Sequence, residues 1–138
     1  MNFTKLMLAT AVATVAELGV DYGWQKIFPP ADDLKLLISN LAAPENPLGW
    51  NILTAFSIAV LAALLFHSLA IPGSRIQRGI YVGFTVGLMS SVISSAMWLS
   101  KFDLPMGVFQ REFPKTMALG LVAGVIYSLF YLKQKTEP

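Results

Sequence analysis

The chain has 138 residues, of which 55% are hydrophobic and only 13% are charged, whereas a soluble domain carries about a quarter charged residues. The formal net charge is +2, and Lys and Arg form no basic stripe, so we expect no nucleic-acid partner. The absence of cysteine excludes disulfides, thiol catalysis and cysteine-ligated metal sites. Charged residues gather between long apolar runs, which is typical of an integral membrane protein.

Several apolar segments are long enough to cross a bilayer, which takes roughly 20 helical residues. We place four of them, at about residues 4–24, 50–71, 79–100 and 116–132. The first also has features of a signal peptide, because Lys5 precedes an apolar stretch with Ala11 and Ala13 at cleavage-like spacing. We treat it as a span. The sequence therefore predicts one all-α domain, a bundle of four transmembrane helices.

Two long connections lie between these segments on the side away from the chain termini. Residues 25–49 contain Asp32 and Asp33, which suit a helix start, followed by apolar residues at helical spacing: Leu34, Leu37, Ile38 and Leu41. We predict a short amphipathic helix in this first outer loop. Residues 101–115 are so apolar that we expect the second outer loop to fold back onto the first or to contact a partner.

The basic residues suggest an orientation. A short turn at residues 72–78 carries Arg75 and Arg78, and the C-terminal tail carries Lys133 and Lys135. Because Lys and Arg concentrate in short cytoplasmic segments, we place both termini in the cytoplasm, in a bacterial inner membrane. Tryptophans fall near the span ends on the other side, where such rings anchor helices at the boundary between water and lipid: Trp24, Trp50 and Trp98.

Glycines repeat at intervals of four in the third and fourth segments. Gly79, Gly83 and Gly87 share one face of the third, and Gly120 and Gly124 share one face of the fourth. In lipid, small residues mark the faces where helix backbones approach closely. The pattern predicts contact between these two helices. It is also compatible with a homodimer, or with a seam for a larger membrane complex.

The first segment carries a row of polar residues. Thr10, Thr14, Glu17 and Asp21 are spaced four, three and four apart, so they share one helix face. An ionised acid in mid-membrane costs about 2.5–3.5 kcal/mol on insertion scales, so this face must turn toward protein or water. At the depth of Glu17, the third segment offers serines, and we expect a hydrogen bond from one of them: Ser90, Ser91, Ser94 or Ser95.

Two interpretations of Glu17 stay open at this point. Burial and the negative charge of Asp21 both favour the neutral acid, which can be a purely structural group. The same group can exchange protons or bind a cation, with Thr14, Asp21, Ser91 and Ser94 as its polar surroundings. We expect Asp21 itself to reach the outer interface.

Catalytic and cofactor sites are not indicated. His67 is the only histidine, so it is a weak candidate for an axial ligand and more typical of an interfacial or packed residue. The serine cluster has no nucleophile-elbow pattern or acid–base partner. We predict no enzymatic activity, no metal and no cofactor, although an apolar pigment, quinone or lipid would need no motif that a sequence displays.

Two resemblances follow from these residues. The leader Met1-Asn2-Phe3-Thr4-Lys5, the long first outer loop and the glycine-rich third segment resemble small bacterial four-helix membrane proteins of uncharacterised families, which implies no activity. Locally, Ala16-Glu17-Leu18-Gly19 resembles the first helix of small multidrug-resistance transporters. That resemblance implies that Glu17 exchanges protons for cationic solutes within a dimer. The chain departs from that family in its longer outer loops and in Asp21.

These observations lead to ordered expectations about function. We first expect a non-enzymatic accessory or structural subunit, surrounded by lipid and packed against itself or a larger membrane complex. The alternative is a small proton-coupled transporter of a hydrophobic or cationic solute that uses Glu17. A further alternative is an accessory protein that binds a pigment, quinone or lipid.

Overall fold

The computed structural model describes residues 3–29, 47–69, 72–101 and 106–131. In this part of the chain it contains four helices: α1 (Phe3–Ile27), α2 (Pro47–Ser68), α3 (Arg75–Lys101) and α4 (Met106–Phe130). Each is long and apolar enough to cross a membrane. The prediction of an all-α chain with four such helices is therefore confirmed. The amphipathic helix predicted in the first outer loop lies outside the described residues.

The helices run alternately up and down and form one bundle. α4 packs against each of the other three helices, and α2 also contacts α1 and α3. α2 and α4 therefore meet across the middle, with α1 on one side and α3 on the other. α1 and α3 end on the same side of the bundle. We name this side the charged end, because it contains Asp21, Arg111, Glu112 and Lys115. The opposite end, where α1 and α3 begin, is the terminal end.

The interior of the bundle is built mostly from small side chains. The buried residues are chiefly alanine and valine: Ala9, Ala13, Ala59, Ala62, Val82, Val86 and Ala123. Large apolar side chains point outward on all four helices, among them Met7, Val15, Ile52, Phe56, Phe84, Ile93 and Leu129. In a water-soluble bundle the large apolar side chains would fill the core. Small residues inside allow close helix approach, which is typical of packing between helices surrounded by lipid.

Residues 73–77 fix the conformation of the chain where the turn between α2 and α3 ends and α3 begins. Gly73 has a φ of 116°, a left-handed conformation that disfavours any side chain. Next, the Ser74 backbone N–H donates to Gln77 Oε1 at 2.8 Å, and the Gln77 N–H donates to Ser74 Oγ at 3.3 Å. This reciprocal pair is a capping box, which satisfies backbone donors at the start of α3.

The second outer connection is much shorter than expected. Residues 101–115 were predicted to be a loop and the fourth span to begin near Thr116, but α4 begins at Met106. Pro114 lies within this helix, where it cannot donate to the Gln110 carbonyl. The proline and several charged residues made this stretch resemble a loop. The helix accommodates them because its charged side chains pair with one another and with α1.

The glycine rows lie where α3 meets α4. A Cβ atom on Gly79 would lie 2.5 Å from the Gly124 carbonyl oxygen, and one on Gly83 would lie 2.6 Å from the Gly120 carbonyl oxygen. A Cβ on Gly87 would lie 2.9 Å from the Met117 Cα atom. These glycines therefore let the two backbones touch. Within the described residues, this face packs α3 against α4. The predicted contact between these two helices is therefore confirmed.

Candidate functional site

Glu17 is enclosed in the bundle. It lies on α1, its exposed fraction is 0%, and both carboxyl oxygens are buried without a hydrogen-bond partner among the residues that the structure describes. The hydrogen bond predicted between Glu17 and a serine of α3 is therefore wrong for the described residues. A buried carboxyl group without a donor is unusual, because buried polar groups are almost always hydrogen-bonded. The position of Glu17 thus needs an explanation other than packing.

The serines of α3 do not reach Glu17 because α2 and α4 lie between α1 and α3. Ser91 is buried, and its hydroxyl lies 2.7 Å from the Gly87 carbonyl oxygen and 3.3 Å from that of Phe113. Its hydrogen-bonding capacity is thus used by the backbones of α3 and α4. Ser94 is exposed, yet it lines the same cavity as Glu17.

Glu17 is one of the residues that line a cavity of about 280 Å³. Its wall is formed mainly by α1, α2 and α4. Uncharged polar side chains line part of it: Asn51, Thr54, Ser94 and Thr116. Apolar side chains line another part: Leu18, Ala55, Ile58 and Leu119. The cavity therefore combines an apolar surface with hydrogen-bonding groups around one buried acid, which is the usual composition of a small-molecule site.

Three charged residues, which we call the charged mouth, line the cavity at the charged end of the bundle. They are Asp21 of α1 and Glu112 and Lys115 of α4. The Lys115 ammonium nitrogen lies 3.2 Å from Asp21 Oδ1 and also contacts Glu112 Oε2. The side chains of Lys115 and Asp21 are 18% and 16% exposed, whereas that of Glu112 is 41% exposed. The mouth therefore lies between Glu17 and the exposed end of the bundle.

Further contacts fix the mouth in place. Gln25 Nε2 donates to Asp21 Oδ2 at 3.0 Å. Arg111 Nε donates to the Phe28 carbonyl oxygen at 2.9 Å, and a terminal nitrogen of the same guanidinium lies 3.9 Å from Glu112 Oε1. These bonds connect the end of α1 with the beginning of α4. They hold Asp21 and Glu112 on either side of the Lys115 ammonium group.

Of the other two residues in the polar row of α1, Thr10 bonds to α4 and Thr14 bonds to α1 itself. The Thr10 hydroxyl donates to the Leu6 carbonyl at 2.9 Å, so the Tyr127 hydroxyl, 2.5 Å away, is the donor in the bond between the two side chains. The Thr14 hydroxyl donates to the Thr10 carbonyl at 2.9 Å. Thr14, which was predicted to surround Glu17, is therefore bonded to its own helix and does not line the cavity.

The buried bond between Tyr127 and Thr10 leads to a prediction about stability. We expect Tyr127→Phe to lower the free energy of unfolding by about 0.5–1.5 kcal/mol, the usual contribution of such a bond. Chemical unfolding in detergent measures this change. Tyr22→Phe is the matched control, because Tyr22 is 66% exposed, and it should leave the stability unchanged. An equal effect of both substitutions would contradict the assignment.

The other singled-out residues lie away from the cavity. Trp24 packs against Phe28 with ring centroids 4.6 Å apart, and its Nε1 atom is buried without a partner in the described part of the chain. Trp50 is 58% exposed at the same end, and the side chain of Trp98 lies outside the described residues. His67, at the terminal end, packs edge-on against Tyr131 at 4.8 Å. Their proposed roles as interface anchors or axial ligand remain predictions.

Sequence reasoning missed Glu112 and Lys115 as members of the site. Their signal was present: the two residues are three apart, opposite in charge, and followed by Thr116 and Leu119 on the same helical face. Because residues 101–115 were interpreted as a loop, this face was not assigned. The structure joins it to the face of α1 that carries Glu17 and Asp21.

Comparison with known proteins gives no relative. No protein-family model, curated protein or solved structure matches the chain. The two resemblances described above are therefore not tested by these comparisons.

Proposed function

We propose that this chain is an integral membrane protein that binds a small cationic solute in the Glu17 cavity and exchanges it for a proton. The observation that carries the proposal is that Glu17, whose carboxyl group is fully buried and unpartnered among the described residues, belongs to the wall of a cavity. Acids inside membrane bundles are costly, and they commonly mark ion or proton pathways.

The membrane part of the proposal is supported by the distribution of side chains. Small residues fill the bundle, large apolar residues cover it, and all four helices are long enough to span the hydrocarbon layer. The charged mouth then lies near one membrane surface. The distribution of basic residues predicts that this surface is the outer one and that both termini lie in the cytoplasm of a bacterial cell.

The exchange follows from the two states of the acid. Without a nearby cation, an ionised carboxylate removed from water carries a desolvation penalty of several kcal/mol, so the neutral acid is favoured. A bound cation beside the carboxylate offsets that penalty. A proton and a solute cation therefore compete for Glu17. This competition couples the movement of the proton across the membrane to movement of the solute in the opposite direction.

The size of the cavity limits the solute. Sites for drug-sized ligands have volumes of about 300–1,000 Å³. At about 280 Å³, this cavity lies at the lower end of that range and suits a small organic solute. Its partly apolar wall favours an organic cation over a hydrated inorganic ion, which needs several oxygen ligands.

Transport through reconstituted protein tests the proposal. The purified protein is placed in proteoliposomes with an imposed proton gradient, and the internal pH is followed with a pH-sensitive dye for a panel of cations from n-butylammonium and choline to ethidium, because the exchange of one proton for one monovalent cation moves no net charge. We expect a gradient-driven signal with at least one of them. Glu17→Gln should abolish the signal, because glutamine cannot release a proton. Glu137→Gln, which makes the same chemical change in the C-terminal tail, should leave the signal intact. A signal that survives in Glu17→Gln would remove Glu17 from the mechanism.

The accessory-subunit hypothesis stays a prediction. It was motivated by the glycine rows, which in the described residues pack α3 against α4. It was also motivated by an apolar second outer loop, which is helical from Met106 onward. The geometry therefore favours the exchange of a cation over a purely structural role. The pigment-, quinone- or lipid-binding alternative also remains a prediction, and native extraction of ligands tests it.

A further inference from the structure

Lys115 occupies the position through which a cation would approach Glu17 from the charged end. Its ammonium group lies between the carboxylates of Asp21 and Glu112, and all three residues line the cavity. Lysine carries the same chemical group as a small organic ammonium ion. The mouth is therefore already an ammonium-binding site, and it holds an ammonium group that belongs to the protein.

The charges near the cavity leave one negative charge for a ligand. In the mouth, Asp21 and Glu112 are balanced by Lys115 and by Arg111, which lies 3.9 Å from Glu112. Glu17, when ionised, has no positive partner within the described residues. A single positive charge neutralises it, whereas a divalent cation would leave an excess. The charge count therefore favours a monovalent cation.

Side-chain direction separates Lys115 from Glu17. Helical side chains tilt toward the start of their own helix. Lys115 on α4 therefore points toward the charged end, and Glu17 on α1 points toward the terminal end. Both residues line the cavity, and the Glu17 carboxyl group forms no bond with Lys115. In this arrangement the Lys115 ammonium group pairs with the two carboxylates of the mouth, and Glu17 is left without a cation.

We propose that Lys115 is a tethered competitor of the solute, and that the solute is a small primary alkylammonium ion, which keeps the lysine ammonium displaced from Asp21 and Glu112 while it is bound in the cavity with Glu17. This inference rests on the proposed function, since it concerns the same cavity. Any group that replaces the lysine ammonium must donate N–H hydrogen bonds to the carboxylates of Asp21 and Glu112. The apolar wall, formed by Leu18, Ala55, Ile58 and Leu119, suits the alkyl part of the ion.

The first consequence concerns affinity. Lys115→Met keeps the length of the side chain but removes the competing charge. We expect it to bind n-butylammonium about tenfold more tightly than the natural protein, which corresponds to about 1.4 kcal/mol. Lys115→Arg restores a competing cation and should bring the affinity back down. The readout is calorimetric titration of the purified protein in detergent. A lysine that only holds α1 against α4 would give the opposite sign, because its loss would disorder the site.

Two controls accompany that titration. Lys26→Met removes a lysine charge outside the cavity and should leave the affinity unchanged, because Lys26 lies over the Tyr22 ring and does not line the cavity. In the natural protein, tetramethylammonium has no N–H donor and should compete poorly against n-butylammonium. That second measurement holds even if Lys115→Met fails to fold.

The outcomes separate this inference from the proposed function. Unchanged or weaker binding in Lys115→Met, or equal competition by tetramethylammonium, would overturn the role of Lys115. If Glu17→Gln abolishes binding in the same experiments, the cavity remains the site. If binding survives in Glu17→Gln, the proposed function fails, because binding of the cation then does not depend on the buried acid.

Discussion

Glu17→Leu should raise the stability of the protein while abolishing exchange. The carboxyl group is fully buried and has no hydrogen-bond partner in the described residues. Burying an unpartnered polar group costs about 1–3 kcal/mol in mutational data, and leucine has a similar volume without that penalty. We therefore expect the free energy of unfolding to increase by about 1–3 kcal/mol. A stabilising substitution that removes function is typical of a site retained for its chemistry.

Chemical unfolding in detergent at fixed pH measures this effect. Glu17→Gln is the informative comparison, because it removes the ionisable group but keeps a polar amide, and it should gain less stability than the leucine variant. Leu18→Ala, on the neighbouring residue, controls for changes in packing and should lose stability. Should Glu17→Leu instead destabilise the protein by more than about 1 kcal/mol, Glu17 must have a stabilising partner, and the idea of an acid held ready for a solute fails.

Gly120→Ala should destabilise the bundle even though alanine is the better helix former. A Cβ atom at this position would lie 2.5 Å from the Gly87 backbone nitrogen and 2.6 Å from the Gly83 carbonyl oxygen. Both are backbone atoms, so α3 and α4 must move apart. Overpacking of this kind costs about 1–3 kcal/mol. It outweighs the roughly 0.5–1 kcal/mol that alanine gains over glycine in a helix.

Gly23→Ala is the matched control for this packing prediction. Gly23 lies on α1, and a Cβ atom there meets nothing within 4 Å. This variant should gain up to about 1 kcal/mol, because only helix propensity changes. Thermal unfolding of the two variants in the same detergent compares them. If both substitutions stabilise the protein, α3 and α4 do not approach as closely as the structure indicates.

Much of the fold follows from local sequence patterns. Long apolar runs predicted all four helices, because crossing a bilayer requires a minimum helical length. The glycine rows predicted the contact between α3 and α4, because only small residues allow backbones to touch. The spacing of Glu17 and Asp21 placed both acids on one face. The structure places that face at the cavity.

The partners across the bundle could not be predicted in the same way. Depth alone matched Glu17 with the serines of α3, yet depth does not say which helices are neighbours. The neighbour is α4, and its charged first turns were interpreted as a loop because Pro114, Glu112 and Lys115 interrupt the apolar pattern. Those charges become compatible with a helix only when Asp21 of α1 is placed beside them. Tertiary contact, not local propensity, therefore defines the site.

The central claim is that the buried Glu17 carboxyl group gives up its proton when a cation enters the cavity. Infrared difference spectroscopy of the protein in lipid vesicles measures this directly, by comparing spectra with and without n-butylammonium. We expect the cation to reduce the C=O stretching band of a protonated carboxyl group, and we expect no such change in Glu17→Gln. An unchanged band in the natural protein, or the same loss in Glu17→Gln, would contradict the claim.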